Sequence, residues 1–241
     1  MIYTQQYKII PQEVDFTCRQ SLPSLGNCLL DAASLSAATF GLGLNDLSQR
    51  GLTWVVSRLH ISLKRSARLQ EVITIDTWPR DCNRLASARY YRITGDDGAV
   101  IGNCTSLWSV INFETRRPVD LLTEADLRPF ITEQEVDTRP PMRIDELHTE
   151  PIATHTVRYS DLDFNVHTNS MKYVQWMLDT LPLEQFQHRH IAAFDINYAH
   201  EARFGQEVKI LRNEIDGGYH FDLKSDENKS FCKAKILFEN D

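Results

Sequence analysis

Between Asp161 and Asn169 the chain reads DLDFNVHTN, five polar side chains at alternate positions (Asp161, Asp163, Asn165, His167, Asn169) with Leu162, Phe164, Val166 and Thr168 between them. A histidine can accept a proton near neutral pH, a carboxylate can orient or activate a donor, and an amide can hydrogen-bond a carbonyl oxygen or a water. In an extended segment, period-two spacing turns all five polar side chains to one side and gives the segment an apolar back. The run leads straight into the apolar stripe Tyr173, Val174, Met177, Leu178, Leu181, expected to be a helix over Met171–Leu181. Free N–H groups at a helix start favour developing negative charge. Asn169 or Ser170 is placed to cap that helix, and Asp161 reads as a turn or cap residue.

The elements that must hold this cluster recur along the chain. In the first half, LGNCLLDAASLSAATFGLG has helical spacing and closes on glycines. It is followed by strand-like runs, LTWVVSRLHISL, EVITIDTW, RLASARYYRI and NCTSLWSVINF. In the second half the Met171 helix is followed by AAFDINYAH, EVKILRNEI, GYHFDLKS and SFCKAKILFE, and Glu71-Val72 and Glu207-Val208 are taken to open equivalent strands. The acidic, proline-bearing stretch from Leu121 to Pro151 separates the halves as a linker, with a short helix at its start. One helix followed by several antiparallel strands, written twice, predicts two α+β units, each a sheet curled round its helix.

The totals exclude some classes of function. A net charge of −7 over 241 residues argues against general affinity for nucleic acid or an anionic membrane. No secretory signal and no apolar run long enough for a membrane helix is visible. The five cysteines (Cys18, Cys28, Cys82, Cys104, Cys232) are scattered without a C-x-x-C pair, which disfavours a disulfide framework or a zinc site and points to a reducing cytoplasm. His188 and His190 lack a third ligand at metal spacing and read as a solvated loop after the helix. No motif asks for a metal, nucleotide or flavin, so no cofactor is expected.

The segment SDLDFNVHTNSMKYVQWMLDTLP resembles the D-x-N-x-H-x-N segment of the acyl-acyl carrier protein thioesterases, enzymes that release free fatty acids from the carrier. The likeness continues through FQHRHIAAFDINYAHEA, and in the first half through GLTWVVSRLHISL, EVITIDTW and TSLWSVINFETRRPVDL. It implies a tandem of two hotdog domains: residues 1–130, lining the acyl-chain pocket and catalytically silent; a linker, 131–150; and residues 151–241, carrying the catalytic residues. It assigns Asp163, Asn165, His167 and Glu201 to the catalytic set, with Glu201 on a neighbouring strand. Plant members often have a cysteine after that glutamate. Here the position is Ala202, and Cys232 is far along the chain, so attack by water is expected rather than a Cys-His acyl-enzyme. Either Glu201 or His167 serves as the base. Asn165 orients the water or carbonyl, N–H groups at the helix start stabilise the oxyanion, and Asp163 holds Asn165 or the helix start. His200 is a weak candidate on the opposite side of the strand.

The first half lacks any equivalent of D-x-N-x-H, its helix being preceded by SLPSLGN, and is expected to be catalytically silent. The small residues of LLDAASLSAATFGLG suit either an acyl chain lying against the helix or tight helix–sheet packing. The partner implied is an acidic acyl carrier protein, for which the segment Arg50–Arg92 offers nine Arg/Lys against three acids, extended by Arg116 and Arg117. Arg65, Arg68, Arg84 and Arg89 are its candidate substrate- or carrier-binding residues. A homodimer is permitted but not required, because two hotdogs in one chain already make the usual pair. The rival readings are an acyl-coenzyme A thioesterase of the same fold, and a hotdog protein that binds or dehydrates acyl chains.

Overall fold

The computed structural model describes residues 1–240. Its elements in chain order are β1 (Tyr3–Lys8), α1 (Leu22–Thr39), α2 (Leu44–Ser48), β2 (Leu52–Leu63), β3 (Val72–Cys82), β4 (Ser87–Thr94), β5 (Val100–Asn112), α3 (Leu121–Glu124), β6 (Ala153–Thr156), α4 (Ser170–Leu178), α5 (Glu184–Gln187), β7 (Arg189–Tyr198), β8 (Glu207–Ile215), β9 (Gly218–Lys224) and β10 (Ser230–Asn240). The strands form one ten-stranded sheet in the order β1-β3-β4-β5-β2-β7-β10-β9-β8-β6. Every pairing in it is antiparallel. Each half wraps its sheet round one central helix, α1 or α4, which makes the molecule a tandem hotdog of α+β class. Both edge strands, β1 and β6, are short runs of alternating burial whose polar letters (YTQQYK and ATHT) hid them from the sequence pattern.

Helix α1 starts where the Ser21 hydroxyl accepts from Ser24 N–H, with Pro23 in the first turn, and ends before Gly41 at φ 70°. It buries Leu22, Leu25, Leu29, Ala32 and Ala33 against the sheet, and a wholly buried leucine such as Leu29 contributes about 2 kcal/mol. At Gly26 the two central helices nearly touch: a Cβ there would lie 2.1 Å from Met171 Sδ. Helix α4 is shorter than its apolar stripe predicts. It ends at Leu178, and Leu181 is buried from the turn that follows.

The two halves join through β2 and β7, which pair only over Arg58–Ser62 and Asn197–Ala193. The linker after α3 is an extended strap lying on the outer face of this seam. Strand side chains hold it: Thr105 Oγ1 donates to Arg139 O, Asn197 accepts from Ile144 N–H and donates to Met142 O, and Asp222 accepts from Leu147 N–H. At the centre, buried Asp195 of β7 lies 3.0 Å from His60 Nδ1 of β2 and receives both Arg139 Nη groups, at 2.9 and 2.6 Å. Burial by itself would raise the Asp195 pKa, but His60 and Arg139 outweigh it and hold the carboxyl below its ordinary 3.8.

A carboxyl depressed by folding stabilises the fold above its ordinary pKa, and that stabilisation is lost as pH falls toward the folded-state value. Asp195→Ala should therefore cost roughly 2 kcal/mol at pH 7 in urea unfolding, since it leaves buried His60 without its partner and frees the half-exposed Arg139 that ties down the strap. The deficit relative to wild type should shrink as pH is taken below 3.8. A deficit that does not change with pH would show that packing, not the charge, is what was lost.

Candidate active site

The polar cluster before α4 is not an extended strand. Asp163 N–H donates to His167 O at 2.8 Å and Val166 N–H to Asp163 O at 3.0 Å, closing a tight turn. The Asp163 carboxylate sits inside it, its Oδ1 accepting from Asn165 N–H (2.8 Å) and His167 N–H (3.2 Å). Val166 is forced to φ 62°, a region that a β-branched residue adopts only under constraint. The expected apolar back is consequently broken in the middle: Phe164 and Val166 are 72% and 65% exposed, while Leu162 and Thr168 at its ends stay against the core. Asp163 is thus the anchor of the turn, and Asn165 and His167 are what the turn presents.

Asn169 caps α4, its side chain accepting from Met171 N–H at 2.8 Å, while Lys172 N–H donates to Asn169 O. Those two amides are engaged, and of the helix start it is Ser170 that lines the cavity. Asp161 is buried and structural, accepting from Arg158 N–H at 2.8 Å and lying 2.9 Å from His155 Nε2.

Glu201 lies not on a strand but in the connection between β7 and β8. Neighbouring Ala202 is pinned from three directions: its N–H donates to Tyr173 Oη (2.8 Å), and its carbonyl accepts from Thr168 N–H and Thr168 Oγ1. This places Glu201 Oε2 at 3.6 Å from His167 Nε2, while Oε1 is ion-paired to Arg116, contributed by the first half. His200, in the same connection, turns Nδ1 to Ser230 O at 2.9 Å. Cys232 is fully buried, and burial pushes its thiol well above the ordinary range, which leaves no thiolate for the site.

Asp163, Asn165, His167 and Glu201 line one cavity of about 610 Å³. Thr53–Ser57 and Tyr198–Glu201 form opposite walls, where β2 and β7 splay apart beyond the last paired residues. A second, largely apolar cavity of about 230 Å³ shares Leu30, Thr53, Trp54, Trp108, Asp163 and Asn165 with the first and runs inward along Ala33, Ser34 and Ala37 of α1. Of the small residues of α1, Ala33, Ser34 and Ala37 line the cavity, while Ala32 and Ser36 are wholly buried in the packing of the helix.

The first half, expected to lack any equivalent, contains the same turn at Asp15, without the asparagine and histidine. Asp15 Oδ1 accepts from Thr17 N–H (2.8 Å) and Arg19 N–H (3.4 Å), Asp15 N–H donates to Arg19 O, and Cys18 takes φ 60°. Gln20 N–H then donates to Ala67 O as Thr168 N–H does to Ala202 O. Aligned on these bonds, Thr17, Arg19 and Ser66 stand where the second half has Asn165, His167 and Glu201. The same bonds match Ile9–Glu71 with Val157–Gln206, so Glu71 is equivalent to Gln206, one place from the pairing taken from the letters.

The candidate basic residues do not form one surface. Arg65 is locked to Glu71 by two hydrogen bonds (2.9 and 2.8 Å) and, with Asp15 and Arg19, borders a third cavity of about 300 Å³ at the Leu63 end of β2, away from Glu201. His190, predicted to be in a loop, lies in β7 and borders the same cavity, whereas His188 is exposed just before the strand. Arg68 is exposed nearby, Arg84 is exposed and paired with Asp120 at 2.7 Å, and Arg89 is buried at 5% exposure. Among the described residues no group of His, Cys, Asp and Glu is arranged to hold a metal ion. The site residues that spacing could not find are Arg116, Trp54, Trp108 and Tyr173, because each reaches the site through a tertiary contact.

Both turns should respond alike to loss of their anchor. Asp163→Ala and Asp15→Ala are each expected to cost about 2 kcal/mol in chemical denaturation, since each leaves turn amides without an acceptor. Only Asp163→Ala should move the NMR signals of the His167 ring. A similar shift in Asp15→Ala would mean that the two turns are coupled rather than independent copies.

Residues 1–126 match the family model of the acyl-ACP thioesterase N-terminal domain and residues 145–240 that of the C-terminal domain. A crystal structure of an acyl-ACP thioesterase from Bacteroides thetaiotaomicron is 33% identical, with a TM-score of 0.93 over 99% of this chain and 98% of that one. A putative oleoyl thioesterase from Lactobacillus plantarum is 26% identical, with a TM-score of 0.84 over 100% of this chain and 96% of that one. The chloroplastic palmitoyl-acyl carrier protein thioesterase of Gossypium hirsutum is 25% identical over 230 residues, covering 90% of this chain but 56% of its own length. For the dodecanoyl-[acyl-carrier-protein] hydrolase of Cinnamomum camphora the identity is 26%, over 90% of this chain and 60% of that one. The chain thus spans little more than half the length of these plant relatives. No helix in the described residues is long and apolar enough to cross a membrane. With both halves matched in order, the chain belongs to the acyl-ACP thioesterase family.

Proposed function

We propose that the protein hydrolyses the thioester of a fatty acyl chain carried on an acyl carrier protein, releasing the free acid and the carrier thiol. The observation that carries this reading is the convergence of Asn165, His167 and Glu201 on one cavity that continues into an apolar slot along α1. The slot, walled mostly by the first half, holds the acyl chain. The first half supplies no second reacting set, because Thr17, Arg19 and Ser66 stand in place of Asn165, His167 and Glu201; it contributes Arg116 and the slot wall.

In the proposed step a water lies against His167 Nε2 and Glu201 Oε2, whose 3.6 Å separation lets one water hydrogen-bond to both. Arg116 orients Glu201 beside His167, and the proton leaving the water is received by the His167–Glu201 pair. The water oxygen adds to the thioester carbon. The side-chain amide of Asn165 and the N–H of Ser170 at the start of α4 stabilise the oxyanion. As the C–S bond breaks, the pair returns the proton to the departing thiolate. The carrier meets the mouth of this cavity, beside Arg116, Arg117 and Arg203 and the exposed Phe164 and Phe204, rather than the Arg65–Arg68 end of β2. The four buried free thiols (Cys28, Cys82, Cys104, Cys232) suit work in a reducing compartment such as cytoplasm.

The test is release of free acid from a ladder of acyl-carrier thioesters with matched coenzyme A thioesters alongside. His167→Ala and Glu201→Gln should each lower kcat by at least about 100-fold on the carrier substrates. Release from coenzyme A thioesters alone would move the enzyme to an acyl-coenzyme A substrate. Near wild-type rates in either variant would remove that residue from the mechanism.

A further inference from the structure

The wall of the acyl slot contains a buried cation, Arg89. Along β4 the inward-facing positions are Ser87, Arg89, Tyr91 and Ile93, so Arg89 occupies a core position. Its neighbours on the slot wall include Ala33, Ala37 and Leu127, none of which borders the catalytic cavity, whereas Trp54 and Trp108 border both. Arg89 is therefore a buried residue in the part of the slot that the catalytic cavity does not share.

Its partners are neutral. Nη1 donates to Ser36 Oγ at 3.0 Å and Thr77 Oγ1 at 3.2 Å, and no carboxylate of the described residues pairs with it. The other deeply buried cation, Lys224, is treated differently, with Asp222 and Glu146 at 3.5 and 3.6 Å and a hydrogen bond to Leu147 O. Burial pulls the Arg89 guanidinium below its ordinary range, but an arginine stays charged, and a buried charge without a counter-charge is costly. A guanidinium has five N–H donors and no acceptor, and a saturated chain tip offers it nothing.

We propose that Arg89 recognises an oxygen on the far part of the acyl chain, so that the preferred substrate is an oxygenated acyl thioester rather than a plain saturated one. The inference rests on the slot being the acyl site, as proposed above. The shared chemistry is a hydrogen-bond-accepting oxygen, which an ω-carboxylate or an ω-hydroxyl could supply. A site built to hydrogen-bond a substrate oxygen discriminates strongly against the analogue lacking it, because the buried donors are then left unpaired.

The experiment has a binding arm and a kinetic arm. Free saturated acids of graded length, and their ω-hydroxy and ω-carboxy counterparts, are titrated against the protein by isothermal calorimetry. At the best-fitting length an oxygenated acid should bind at least about tenfold tighter than the saturated one. Whichever counterpart gains more identifies the source of the oxygen. Arg89→Met should reduce that ratio tenfold or more, and Arg89→Lys should restore part of it for the carboxylate. If the Met variant does not fold, the wild-type ratio and the Lys variant decide the question. The kinetic arm compares kcat/KM for the corresponding carrier thioesters, where the same ratios should appear. A wild-type preference for saturated acids, or a ratio unmoved by either substitution, overturns the proposal. Selective binding without hydrolysis of any thioester would uphold Arg89 and count against the hydrolytic reading.

Discussion

The five-residue pairing of β2 with β7 is the constraint on which the rest of the molecule depends. It fuses two sheets into one, and because it is short, the strands separate at both of its ends. A twisted pair cannot stay in register once its outer neighbours pull it toward different helices. The space opened at one end is the cavity of His167 and Glu201, and at the other it is the cavity bordered by Asp15 and Arg19. The site is therefore assembled from both halves: the second half gives the turn and Glu201, and the first gives Arg116, Trp54 and the apolar slot. Asp195, held between His60 and Arg139, fastens this seam and the strap across it with one buried carboxylate.

The duplicated turn separates what folding needs from what the second half alone presents to its cavity. Asp15 and Asp163 accept the same amides, Cys18 and Val166 take the same left-handed backbone, and Ser21 and Asn169 cap the helices that follow. These features place the chain before a helix that must enter a sheet. Asn165, His167 and Glu201 are absent from the first copy, which keeps its shape without them. The aspartate in the motif thus belongs to the folding requirement shared by both halves, and the asparagine, histidine and glutamate are particular to one.

Much of this could be read from the letters. Two long apolar stripes, each followed by strand-like runs and turn signals, determined two helix-and-sheet units, because amphipathic periodicity reports burial directly. The D-x-N-x-H spacing picked out residues that share one cavity, although the backbone geometry it implied was wrong. It was read as alternation along a strand, whereas the aspartate folds the segment back on itself. Pattern cannot distinguish these cases, since a side chain bonding to its own nearby backbone competes with strand geometry without altering the spacing. The edge strands β1 and β6 were lost because an edge facing water is written in polar residues.

What the sequence by itself determined was local: which segments bury a face, where helices start, and which polar groups lie close along the chain. The tertiary structure decided the rest: that Glu201 meets Arg116 across 85 positions, that Arg65 serves Glu71 while Arg89 turns into the slot, and that the linker is a strap. The physical reason is that charge and hydrogen-bond energies depend on distance and burial. Both are properties of the packed sheets, and in the chain a run of arginines looks the same whether it faces a partner, a carboxylate or the end of a cavity.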